Sequence, residues 1–210
     1  MQDFQQMTVA GLSELTASSS PVPGGGSISA LAGAYAASLV CMVANLTLDR
    51  AKYEAVQDIM RSAGSQAEAL RSKLLDGIKR DSESFDAFMQ ALSLPKDTEE
   101  QKKARQSAMQ AGLKSACEAP LTSAQDIHRV LELALDMVRH GNANALSDGL
   151  VGAFLARSAL LGAVSNVRIN LSSIRDEAFT ARMREACNHL ETEAHRLENE
   201  AVQAAKSREG

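Results

Sequence analysis

Leu74-Leu75-Asp76-Gly77-Ile78-Lys79-Arg80-Asp81-Ser82-Glu83-Ser84-Phe85-Asp86-Ala87-Phe88-Met89-Gln90-Ala91-Leu92 contains no proline, and its apolar residues Leu74, Ile78, Phe85, Phe88 and Leu92 recur with a helical period. With Asp81 included, the steps along the stripe are four, three, four, three and four, which is one face of a helix. The proline-free run reaches back to Ala51, so the spacing predicts one or two long helices over 51–92, with weak points at Gly64 and Gly77 and a stop at Pro95. Asp81 occupies a position that the pattern reserves for an apolar side chain. A carboxylate withdrawn from water is costly unless it is paired or hydrogen-bonded, and such positions are where general acids and bases are tuned. The alternative is that Asp81 pairs with Lys79 or Arg80, or reaches solvent near an irregularity after Gly77.

Upstream, a short amphipathic start (Phe4, Met7, Leu12, Leu15) runs into Ser18-Ser19-Ser20-Pro21-Val22-Pro23-Gly24-Gly25-Gly26, which reads as a loop. Ser27 stands where an N-cap would stand. The uncharged stretch from Ser27 to Leu48 is dominated by Ala, Gly and Ser and contains Asn45, so it reads as a buried bundle helix rather than a membrane span. Downstream, Thr98 and Gln101 have capping-box spacing, and Pro120 predicts a break or kink before a second run that ends at Gly141. Ser147–Ile174 and Asp176–Ser207 read as two further helices. With no linker or repeat, residues 1–210 read as a single helical domain.

Composition agrees with an all-α multihelical bundle. Of 210 residues, 45% are hydrophobic and only 3% aromatic, with no Trp. A net charge of −4 argues against nucleic-acid or anionic-membrane partners. Cys41, Cys117 and Cys187 form no CxxC pair, the N-terminus lacks the pattern of a secretory signal, and the four histidines lack HExxH or i,i+4 spacing. The expectations are a reducing cytoplasmic setting and no bound metal.

Two more features bear on chemistry. Pro23-Gly24-Gly25-Gly26-Ser27 presents unhindered backbone N–H groups beside a helix start, which suits an anion, although the same residues serve equally as a connector with a cap. Asp148, Gly152, Ala156, Ala159, Ala163, Asn166 and Asn170 fall on one small-residue face, with Asn142 and Ser147 just upstream. That face lines a pocket, or it makes a close helix or subunit contact. Arg50 and Lys52, beside Tyr53, are able to bind an anionic tail or simply end a solvated helix.

In Pro21–Ser27, Cys41–Thr47 with Arg50, Lys52 and Tyr53, Asp81–Phe85 with Leu94-Pro95-Lys96, Gly141–Asp148 and Asn166–Leu171, the chain resembles the cyclodeaminase/cyclohydrolase family of folate enzymes. That family comprises the C-terminal domain of formiminotransferase-cyclodeaminase and its stand-alone bacterial relatives. The resemblance spans nearly the whole chain. It implies long antiparallel helices in an intertwined homodimer, a pocket for a tetrahydrofolate derivative, and no cofactor beyond that substrate. It also implies either hydrolysis of 5,10-methenyltetrahydrofolate to 10-formyltetrahydrofolate or cyclisation of 5-formiminotetrahydrofolate with release of ammonia, the different-class alternative being a non-catalytic folate-binding dimer. On this resemblance Asp81 is the first candidate acid/base and Asp148 the second. Asn45, Asn166 and Asn170 then orient the ligand, Asn142 and Ser147 add polar groups, Gly24–Ser27 approach it, and Arg50 and Lys52 hold the glutamate tail.

Overall fold

The computed structural model describes residues 4–209, which fold into six α-helices and three short 3-10 segments, with no strand among the described residues. The helices are α1 (Val9–Ala17), α2 (Gly25–Thr47), α3 (Gln57–Ser93), α4 (Glu99–His140), α5 (Leu146–Leu171) and α6 (Glu177–Glu209). α2 packs on α3, α4 and α5, while α6 closes the far side against α4 and α5. Ala30, Ala34, Ala37, Val40, Val43 and Ala44 of α2 are all buried. Small side chains let its backbone approach its neighbours closely, as expected of a central helix.

The glycines in α3 do not interrupt it. α3 runs unbroken through Gly64 and Gly77, and both lie at close contacts: a Cβ on Gly64 would sit 3.4 Å from Ala44 Cβ, and one on Gly77 would sit 3.3 Å from Ala30 Cβ and 3.0 Å from Ser123 Oγ. Gly33 of α2 is tighter still, since a Cβ there would come within 2.5 Å of Ile127 and 3.3 Å of Leu74. Along the α2–α3 pair, Gly26 meets Asp81, Gly33 meets Leu74 and Gly64 meets Ala44.

Two helix boundaries differ from the sequence expectation. Ser27 is not the N-cap of α2; Gly24 takes that place in an extended conformation, the helix begins at Gly25, and the Ser27 hydroxyl bonds to another helix instead. Pro120 does not divide α4, which continues from Glu99 to His140 with the proline buried inside it. A proline lacks the N–H that would bond the carbonyl four residues back, here that of Ala116. Asn170 of α5 supplies the missing donor, with its Nδ2 3.0 Å from Ala116 O. Elsewhere the expected signals operate: Thr98 and Gln101 form a reciprocal capping box and α3 ends before Pro95. Phe4, Met7, Leu12 and Leu15 fold onto Ala30 and Ile78.

Candidate functional site

Asp81 stands where α3 passes the N-terminus of α2. Its carboxylate lies over Gly26, where a Cβ would come within 2.2 Å of Oδ1. Ser27 Oγ donates to Asp81 Oδ2 at 2.8 Å, and the Ser27 backbone N–H also acts on the carboxylate. The first turn of a helix has N–H groups without intrahelical partners and a partial positive charge, so a carboxylate is favoured there. Burial nevertheless dominates and raises the Asp81 carboxyl above the ordinary aspartate value, with the two Ser27 hydrogen bonds pulling it part of the way back. Asp81 does not pair with Lys79 or Arg80; Lys79 pairs with Glu83, and Arg80 donates to Lys73 O.

A cavity of about 310 Å³ opens over this carboxylate. Its walls are Pro21, Val22 and Gly24–Gly26 on one side, Ser84, Phe85 and Phe88 of α3 on another, and Ala116, Asn166, Ile169 and Asn170 beyond. Asp81 is the only charged residue among them.

The two asparagines are oriented by their donors. Asn166 Nδ2 donates to Gly162 O at 2.8 Å, and Asn170 Nδ2 donates to Ala116 O and Asn166 O, both at 3.0 Å. Only the NH₂ end of an amide donates to a carbonyl, so the amide orientation follows from the network. Each Oδ1 is left as an acceptor without a protein donor among the described residues. One carboxylate and two amide oxygens around an apolar wall make a site for a cation or for a ring edge rich in N–H groups.

The sequence candidates divide into two groups. Gly24, Gly25, Gly26, Asp81, Asn166 and Asn170 share the cavity, with Ser27 buried behind Asp81 and Pro23 buried beneath the loop. Part of the anion-binding capacity expected of the glycine loop is already used by Asp81 itself. Asn45, Arg50, Lys52, Asn142, Ser147 and Asp148 lie elsewhere. Twenty residues of α2 separate Gly25 from Asn45, roughly 30 Å of helix, and Asp148 is similarly far from Asn166 along α5.

At that far end, Asn142 performs a structural task. Its backbone N–H donates to Thr47 Oγ1 at 2.8 Å, its Nδ2 donates to Leu46 O at 2.9 Å, and its Oδ1 accepts from the Asn144 N–H at 3.0 Å. Tyr53 joins it, with its hydroxyl accepting from the Ala143 N–H. Asn45, Arg50, Lys52 and Ser147 are exposed.

Phe85 and Phe88 lie on the Asp81 stripe, whose period reads as core; both are only half-buried and line the cavity. Ser84, Ala116 and Ile169 carry no sequence signal of their own. Among the described residues, no group of three or more His, Cys, Asp or Glu side chains is arranged to hold a metal ion.

This chain is similar to several known proteins. Methenyltetrahydrofolate cyclohydrolase of Methylorubrum extorquens is 38% identical over 91% of this chain and 92% of its own length. Formimidoyltransferase-cyclodeaminase of Gallus gallus is 36% identical over 83% of the chain, which spans 32% of that longer protein. The crystal structure of formiminotetrahydrofolate cyclodeaminase from Thermotoga maritima superposes with a TM-score of 0.87 at 28% identity, covering 97% of this chain and 98% of that one. The family model described as formiminotransferase-cyclodeaminase matches residues 8–189, and the chain belongs to that family.

Proposed function

We propose that this protein is a folate one-carbon enzyme that hydrolyses 5,10-methenyltetrahydrofolate to 10-formyltetrahydrofolate, with Asp81 as the acid/base. The observation that carries the reading is the cavity itself, lined by a half-buried carboxylate and two asparagines whose oxygens have no protein donor among the described residues, with no cationic side chain in its wall. The methenyl carbon is the centre of a cationic amidinium, which such a wall stabilises electrostatically. The near full-length match to the M. extorquens cyclohydrolase supports hydrolysis as the principal reaction.

The steps follow from the chemistry of that carbon. Asp81 removes a proton from water as the water oxygen bonds to the one-carbon unit, giving a neutral tetrahedral adduct. Protonated Asp81 then delivers its proton to N5 as the C–N5 bond breaks. The adduct hydroxyl loses its proton as the formyl C=O forms on N10, and that proton is the one released overall. Asn166 and Asn170 hold the ring through their oxygens, and Phe85 and Phe88 cover its apolar faces.

The likeness to the T. maritima cyclodeaminase favours a second reading, cyclisation of 5-formiminotetrahydrofolate. There N10 attacks the same carbon, and the acid/base protonates departing ammonia. The experiment offers each substrate to the purified protein and follows the methenyl chromophore and ammonia. Chromophore loss from the first substrate makes it a cyclohydrolase; chromophore gain with ammonia from the second makes it a cyclodeaminase. Inertness toward both overturns the enzymatic reading.

The dimer belongs to the same proposal. Tyr35 and Met42 of α2, and Val151, Phe154 and Ile169 of α5, are exposed apolar residues on helices that pack side by side. Both helices are apolar enough by length and composition to cross a bilayer, yet only 56% and 44% of their apolar windows are buried within the chain. A second copy of this chain, seated on that face about a two-fold axis perpendicular to α2, covers it in an isologous contact between long antiparallel helices. That arrangement carries the Asn45, Arg50, Lys52, Ser147 and Asp148 end of one copy toward the Asp81 cavity of the other, which gives those residues access to a site they do not reach in their own chain. The three unpaired thiols, with Cys117 pushed up to about 11 by burial, support a reducing cytoplasmic setting.

A further inference from the structure

Behind Asp81, two serine hydroxyls face each other between α2 and α3. Ser27 and Ser82 are both buried, and neither lines the space a ligand would occupy. Ser27 Oγ donates to Asp81 Oδ2 at 2.8 Å and lies 3.4 Å from both Ser82 Oγ and Ile78 O. Ser82 Oγ lies 3.2 Å from Ile78 O, one turn back on its own helix. Ser82 follows Ile78 at helical spacing on the buried face of α3, where a hydroxyl, like the carboxylate of Asp81, needs a partner.

These atoms offer more acceptors than protons, since each hydroxyl has one proton to give and lone pairs to receive. With Asp81 ionised, Ser27 gives its proton to Oδ2 and its oxygen accepts from Ser82, a chain that runs from Ser82 through Ser27 to the carboxylate. Each bond in such a chain polarises the next, most of all where water is excluded and the final acceptor is charged. With Asp81 protonated the pull on Ser27 weakens, and both hydroxyls can turn to Ile78 O by rotation about Cβ–Oγ, with no heavy atom displaced. Ser82 therefore has a bond to make in either state, but it reaches Asp81 only through Ser27.

Charged groups around the site are engaged elsewhere. α2 carries none, Lys79 pairs with Glu83, and Arg80 donates to Lys73 O and acts on Asp126 of α4. Arg168 of α5 pairs with Glu191 of α6, and Glu14 of α1 and Glu118 of α4 are exposed. Among the described residues, burial of the Asp81 carboxyl is opposed by the Ser27 bonds, so whatever steadies the Ser27 hydroxyl is felt there.

We propose that Ser82 is a positioning residue for the acid/base: it holds the Ser27 hydroxyl toward Asp81 while the carboxylate is ionised and lets it turn to Ile78 O when the proton arrives, so that Asp81 changes state between fixed partners. The proposal rests on the reading of Asp81 as the acid/base. Because neither serine touches the cavity, the effect falls on proton transfer and not on substrate binding. Ser84 differs in this respect, since it lines the cavity but spends its hydroxyl on the backbone, donating to Asp81 O at 2.7 Å.

The test titrates the Asp81 carboxyl carbon by NMR in the full chain grown on isotope-labelled aspartate, with Asp81→Asn identifying its signal. Ser82→Ala, Ser27→Ala and the double variant are compared, alongside kcat and KM against pH and the melting temperature. In Ser82→Ala the proton affinity of Asp81 should rise by about two- to tenfold, the worth of one hydrogen bond, and the acid limb of kcat/KM should move up with it while KM holds. In the Ser27→Ala background the same change should add nothing, because its path to the carboxyl is gone. Alanine is the better helix former and the smaller side chain, so the fold is kept; Ser82→Cys, which preserves the shape but donates weakly, should reproduce the alanine shift and so separate bonding from packing. A titration unmoved in Ser82→Ala, or an equal shift with and without Ser27, overturns the proposal and leaves the Asp81 reading intact. The expected shift combined with full turnover in Asp81→Asn overturns the acid/base role of Asp81 and with it the positioning role of Ser82.

Discussion

Ser27 Oγ donates to Asp81 Oδ2 at 2.8 Å, joining the first turn of α2 to the middle of α3 across 54 residues of sequence. The bond favours the ionised carboxylate, while burial disfavours it by a larger margin. The balance between the two sets the proton affinity of the group on which the proposed chemistry depends.

Replacing Asp81 with Asn should reduce turnover by about 10²–10⁴-fold, the usual contribution of a positioned acid/base, while folate binding measured by calorimetry persists. The stability effect has a definite sign. Because the folded-state value is raised, the contribution of Asp81 to stability is fully present below its unfolded value and is lost as pH rises through the folded one. Asp81→Asn should therefore melt no lower than the unmodified protein at neutral pH, and its relative advantage should shrink as the pH falls toward the ordinary aspartate value.

Ser27→Ala removes a hydrogen bond that lowers the Asp81 value, so the carboxyl should hold its proton to higher pH. The acid limb of the kcat/KM profile, already above the ordinary aspartate range, should shift further up. A limb that stays in place would detach Ser27 from the titration.

Gly26→Ala offers a sharper steric test. In a helix interior that change ordinarily stabilises by about 1 kcal/mol. Here the new Cβ would come within 2.2 Å of Asp81 Oδ1, and the expected outcome is a loss of roughly 1–3 kcal/mol in denaturant unfolding together with lost turnover. Gly25→Ala, whose Cβ would lie 3.2 Å from Asn166 Nδ2, should be milder in both measurements.

The apolar face of α2 and α5 predicts a dimer in sedimentation at micromolar concentration. Met42→Glu combined with Val151→Glu should shift the protein to monomer, because each introduces a charge into the contact. A native chain that sediments as a monomer, or that partitions into lipid vesicles, would remove the dimer from the account.

Local signals were readable wherever a residue acts within its own helix. The capping box of Thr98 and Gln101 and the stop before Pro95 are of this kind, and Asp81 stood out because it breaks the apolar period of its own helix. What escaped were effects set by a second helix. Gly64 and Gly77 read as weak points because nothing in the sequence brings Ala44 or Ala30 against them. Asp148 and Asn166 share one stripe of α5, yet a stripe of that length runs from one end of the bundle to the other and does not define one site. Phe88 gave a core signal because period alone does not distinguish a buried ring from one that walls a cavity.

Pro120 acts through what it lacks. Its missing N–H leaves Ala116 O free for Asn170, so a defect in one helix becomes the anchor of a cavity-lining amide on another. Restoring the backbone donor with Pro120→Ala should heal the ladder and raise the melting temperature, since proline in a helix interior costs about 3 kcal/mol. The same repair would make Asn170 share Ala116 O with a backbone donor, leaving its bond to Asn166 O as the main anchor. The protein is therefore expected to be improvable in heat resistance at this position only at the expense of its aim, and selection for durability alone would erode the site from behind.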